Sequence, residues 1–124
     1  MDVTPLVTKG RQTIRSYGNG GFKINESTFP GAVLVGMDST VSIAASTIGD
    51  FTLDVLGPLL MQEPRPEILI VGSGKTMAAI PAEIRTALRA KGIMVESMDT
   101  GAACRTFNVL IGEDRRVCAA LLAV

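Results

Sequence analysis

The chain has 124 residues, 47% of them apolar, with four phenylalanines, one tyrosine and no tryptophan, so Val, Ile, Leu, Ala and Met must build its core. Twelve Lys and Arg balance twelve Asp and Glu, which argues against nucleic-acid binding, where neutralising phosphates calls for a basic excess or stripe. There is no histidine and the only cysteines are Cys104 and Cys118, so histidine-dependent triads are excluded and no metal site is expected.

The length suits one domain, 1–124. The opening "MDVTPLVTKGRQ" lacks the basic segment and apolar stretch of a signal peptide. No run reaches the roughly eighteen apolar residues of a membrane span. The expected location is the cytoplasm, and both cysteines are expected to stay reduced and buried. Lys9, Arg11 and Arg15 are expected to decorate a solvated strand edge.

The first third is β-rich. Residues 12–17 and 22–25 are extended runs around Gly18-Asn19-Gly20-Gly21, a turn that tolerates positive φ. Residues 32–37 and 41–44 form a second pair around Asp38-Ser39, and Val33-Leu34-Val35 suits a strand covered on both faces. Leu53, Leu56, Leu59 and Leu60 then recur at helical spacing, with Asp50 or Thr52 available as a cap. Gly57-Pro58 interrupts that pattern, predicting a kinked helix or two short turns, and Pro64 and Pro66 end it.

The last half alternates strand and helix: "EILIV", "PAEIRTALRAKG", "IMVESM", "DTGAACRTFNVLIGE", "RRVCAALLAV". In the first helix Pro81 is placed at the first position, Ile80, Ile84, Ala87 and Leu88 face inward, and Gly92 follows the end. A βαβαβ half calls for adjacent, largely parallel strands. The fold class is α/β.

"VGSGKT" at 71–76 ends like a phosphate-binding loop, but the motif needs a glycine five residues before Gly74, where Leu69 stands. It also needs Lys75-Thr76 to open a helix, and Pro81 places the helix start later. An ATP- or GTP-binding P-loop is therefore not expected. Gly72 and Gly74 lie at the carboxyl end of a strand, beside "MDTGAAC" at the end of its neighbour. Two readings follow: glycines that permit close packing, or a small-molecule site in the crevice where open α/β sheets bind ligands. The second would use Gly72, Ser73, Gly74, Lys75, Thr76, Asp99, Thr100, Cys104, Arg105 and Asn108.

In the second helix Ala103, Phe107 and Leu110 form a buried stripe, with Thr100, Cys104 and Asn108 on its flank. Cys104 near Arg105 could be read as a nucleophile. It has no histidine to activate it, lies a full turn into the helix, and Asp99 as N-cap would occupy the free N–H groups. Asn108 is expected to bond the backbone of a facing loop. Arg105 is expected to pair with Glu113 or Asp114 or to meet a partner, and residues 113–116 form a charged turn. Ala102 and Val109 project away from Phe107 as a candidate partner surface.

"YGNGGFKIN" (17–25), "VGSG" (71–74) and above all "MDTGAACRTFNVLIGEDRRVCAALL" (98–122) resemble the Mth938-like domain family. This family comprises small prokaryotic relatives of a mitochondrial assembly factor for respiratory complex I, and the resemblance implies a bacterial protein. Phe107 stands where many members carry tyrosine, and Ser73 where threonine is common. The resemblance implies a three-layer α/β domain with a mixed central sheet, and no catalytic residues or cofactor. It implies a non-catalytic assembly role, with subunits or assembly factors of a respiratory complex as partners that bring the protein to the inner membrane. A ligand-binding protein or undiscovered enzyme using the 72–76 crevice is the alternative.

Overall fold

The computed structural model describes residues 11–124; the expectation for Lys9 lies outside them. Asn19 (φ 52°) and Gly20 (φ 78°) are both left-handed, as the two-residue hairpin turn matching strand twist requires. The turn is thus tighter than the four residues expected, and Gly18 and Gly21 belong to the strands. It joins β1 (Ile14–Gly18) to β2 (Gly21–Ile24). A second tight turn, with Asn25 at φ 50°, adds β3 (Ser27–Pro30) to make an antiparallel three-stranded sheet.

The main sheet has five strands in the order β5-β4-β8-β6-β7. Strands β4 (Ala32–Val35) and β5 (Thr40–Ile43) form its antiparallel end. Strands β6 (Ile68–Gly72), β7 (Met94–Met98) and β8 (Val117–Leu121) run parallel, and β8 is antiparallel to β4. This is the mixed sheet of the expected α/β fold. The last strand enters between the two halves of the chain.

Both faces are covered, which explains the unbroken apolar runs. Val33, Val35, Ile68, Ile70, Ala119 and Leu121 face α3 (Thr100–Gly112) and the small sheet, whose Ile14, Phe22 and Ile24 complete that core. Ala32, Leu34, Leu69, Val71, Cys118 and Ala120 face the opposite layer. There α2 (Ala82–Ala90) contributes Leu88, and the segment before β6 contributes Phe51, Leu56 and Leu59. Pro81 stands as the N-cap of α2, one place before the expected position, and Gly92 has the left-handed φ of 81° after its end.

The segment at 48–60 takes the short-turn form. The Asp50 carboxylate accepts the backbone N–H of Ser46 and of Thr47, 2.9 and 3.0 Å, over the single turn Ile48–Asp50. Helix α1 covers only Gly57–Leu60, and Pro58 sits in its first turn, where a missing N–H costs nothing. At the other end of the chain the charged turn is clasped from outside. Arg115 and Arg116 reach Glu67 at 2.9 and 3.5 Å, and Asp114 meets Arg11 at 3.2 Å.

Candidate functional site

The carboxyl ends of β6 and β7 and the start of α3 meet as the sequence places them. Thr100, 0% exposed, closes the junction. Its hydroxyl accepts the Gly74 N–H at 2.9 Å and donates to the Leu122 carbonyl at 2.8 Å. Its own N–H donates to the Gly74 carbonyl at 2.8 Å. Three chain segments are thereby joined at one side chain. A β-carbon on Gly72 would stand 2.8 Å from a Leu121 methyl and 3.1 Å from the Thr100 backbone, so this approach requires glycine.

Ser73 turns inward along the loop. Its N–H donates to the Met98 carbonyl at 2.9 Å, its hydroxyl donates to the Thr76 carbonyl at 2.7 Å, and its oxygen accepts the Ala78 N–H at 2.9 Å. The polar groups of Ser73, Gly74 and Thr100 are thus all engaged within the protein, Gly74 and Thr100 with each other and Ser73 with Thr76, Ala78 and Met98. The Lys75 and Thr76 side chains are exposed at the loop's outer end.

Asp99 caps α3, its carboxylate accepting the Ala102 N–H at 2.9 Å. Cys104 points into the core, where burial pushes its thiol up to about 12 despite the opposing pull of the Arg105 charge. Burial alone takes Cys118 to about 12 as well. Both are neutral thiols at physiological pH, the reverse of what a nucleophile needs. Phe107 is fully buried. Among the described residues no three His, Cys, Asp or Glu gather as metal ligands.

Asn108 meets a strand rather than a loop. Its Oδ1 accepts the Ile14 N–H at 2.9 Å and its Nδ2 donates to the Ile14 carbonyl at 2.8 Å, so α3 holds β1 by both backbone groups. Asn108→Leu would leave both unpaired and is expected to cost about 2 kcal/mol. Hydrogen exchange should accelerate in the small sheet more than in β6. Equal acceleration throughout would show that the clasp does not act locally.

Arg105 also departs from expectation. It reaches the Tyr17 hydroxyl at 3.3 Å, while Asp114 pairs with Arg11 and lies past the far end of the helix. Tyr17, 42% exposed, lies over Gly101, whose hypothetical β-carbon would be 2.7 Å from its hydroxyl. Ala102, Arg105 and Val109 follow at i, i+3 and i+7 on the outward side of α3, and Val109 is 59% exposed. Tyr17 is the member of this surface that sequence reasoning missed. Its only signal was a lone tyrosine before a glycine-rich turn.

Residues 14–122 match the family described as protein of unknown function (DUF498/DUF598). The chain is 36% identical over 109 residues to "NADH dehydrogenase [ubiquinone] 1 alpha subcomplex assembly factor 3" of Xenopus tropicalis, covering 88% of this chain and 60% of that protein. It therefore spans about three-fifths of that relative's length. Among solved structures, an outer membrane protein from Bartonella henselae superposes with a TM-score of 0.85 at 36% identity, covering 93% of this chain and 97% of that one. A Mth938-like domain from Bordetella pertussis superposes with a TM-score of 0.80 at 28% identity, covering 98% and 92%. Among the described residues no helix is long and apolar enough to cross a membrane.

Proposed function

The chain belongs to this family, and on that footing we propose that it is a non-catalytic interaction factor in the biogenesis of a membrane respiratory complex. Similarity to the assembly factor supplies the biological context. The observation that carries the choice of partner binding over catalysis is where the side chains of α3 go. Inward, Thr100, Cys104 and Asn108 are engaged in packing or backbone bonds; outward, Val109 is exposed, and the Tyr17–Arg105 pair, though it links β1 to α3, lies on the same solvent-facing side. An exposed tyrosine and arginine are residue types in which interface anchors are enriched, and Val109, one turn along α3 from Arg105, adds an apolar side chain to the surface that strand and helix form together. Through such partners the protein would reach the membrane.

The test is quantitative affinity capture from the protein's own cells, comparing wild type with Val109→Asp. Wild type should enrich respiratory-complex subunits or assembly proteins. The variant should lose roughly tenfold of that enrichment, a usual cost of spoiling an apolar anchor, while melting within about 2 °C of wild type. Failure of the wild type to enrich such subunits would sink the function, and an unimpaired variant would sink this surface.

A further inference from the structure

Among the described residues strand β7 ends the main sheet on one side, because β8 returns to the far side of β6. The Met94 N–H donates to the Glu67 carbonyl and the Met98 carbonyl accepts the Ser73 N–H, each at 2.9 Å, so the even-numbered residues of β7 bond toward β6. In a parallel pair the residues between them turn the other way. Val95 and Ser97 therefore present their N–H and C=O groups to the open edge.

Alongside that edge runs a groove of about 360 Å³ lined by Arg85, Arg89, Gly92, Ile93, Met94 and Val95. Arg85 and Arg89 are one helical turn apart, and among the described residues neither makes an ion pair or side-chain hydrogen bond. Arg65, bonded to the Lys91 carbonyl at 3.3 Å, adds a third cation at the end of α2. Val95 belongs to the core on the α2 side, so Glu96 projects from the opposite face of the strand.

From this charge pattern we infer that β7 accepts an extended segment of a partner protein as a sixth strand, one carrying an acidic–basic–acidic alternation. The segment runs antiparallel to β7, so that its two acidic residues exchange backbone hydrogen bonds with Val95 and Ser97 and direct their carboxylates toward Arg85 and Arg89. The basic residue between them stands opposite Glu96. A second copy of this chain is a poor occupant, because two β7 strands paired antiparallel about their centres would set Glu96 against Glu96 and arginine against arginine. The inference does not depend on the outward face of α3.

The experiment is an NMR titration of the isotopically labelled full chain with a capped peptide of threonine and valine carrying aspartate–lysine–aspartate at its centre. Binding should shift and protect the Val95 and Ser97 amides. The lysine–aspartate–lysine peptide and the double variant Arg85→Glu/Arg89→Glu should each weaken binding roughly tenfold. N-methylation of the two aspartates should abolish binding, whereas N-methylation of the lysine, whose N–H points away, should be tolerated. Undiminished binding of the aspartate-methylated peptide, shifts elsewhere, or a homodimer whose contact maps to Val95 and Ser97 would overturn the proposal.

Discussion

Thr100→Val is expected to lower the unfolding free energy by about 3 kcal/mol, because it keeps the shape of the side chain and removes both of its hydrogen bonds. The Gly74 N–H and Leu122 carbonyl would lose their hydroxyl partner in a junction that Gly72 packs too tightly for a replacement group. Each orphaned buried group costs about 1–3 kcal/mol, which exceeds the small gain from burying one more methyl. Thr100→Ser, which keeps the hydroxyl and loses the methyl, should cost only about 1 kcal/mol. Urea denaturation of the three proteins checks the order. A valine variant within about 1 kcal/mol of wild type would mean that the junction can relax, and would reopen the crevice as a space for a ligand.

Alkaline pH is expected to destabilise the fold through its two thiols. In the unfolded chain a thiol ionises near its ordinary value of 9.0, whereas in the fold Cys104 and Cys118 hold their protons to about 12. Above pH 9 the folded state therefore binds more protons than the unfolded one, and stability falls as pH rises. The contribution is intact below pH 9 and declines through the window from 9 to 12. Each thiol supplies a slope of about 1.4 kcal/mol per pH unit, or about 2.7 for both. Cys104→Ala/Cys118→Ala should flatten the dependence by that difference, whatever the tyrosine and lysines contribute. Parallel profiles for wild type and variant would show that the thiols do not govern it.

The regular half of the fold was legible because its signals agree. Runs such as Ile68–Val71 and Val117–Leu121 are apolar throughout, and they proved to be strands covered on both faces. The N-cap role of Asp99 and the turn after α2 followed from local chemistry in the same way. Strand β3 gave no such signal: Ser27, Thr28 and Pro30 are exposed, and only the turn at Asn25 and the ladder to β2 make it a strand. Of the site, the meeting of the 72–74 loop with the start of α3 was readable from strand adjacency. Side-chain direction was not. Arg105 turning to Tyr17 and Asn108 turning to Ile14 depend on where the small sheet docks, a contact between residues more than eighty positions apart. The open edge at β7 was hidden for a related reason, since strand order is decided by where the last strand inserts.

That insertion has a consequence for synthesis on the ribosome. Until residues 117–121 have emerged, β4 and β6 have no strand to bridge them, and Val33, Val35, Ile68 and Ile70 lack the filler that β8 supplies. The nascent chain can form its local hairpins early, but the main sheet closes only after nearly all the described sequence has left the exit tunnel. During that interval two apolar strands each keep an unpaired side, the kind of exposure that invites chaperone capture or mispairing. Premature termination just before β8 would thus remove more than one strand: it would leave the two halves of the chain without their common seam.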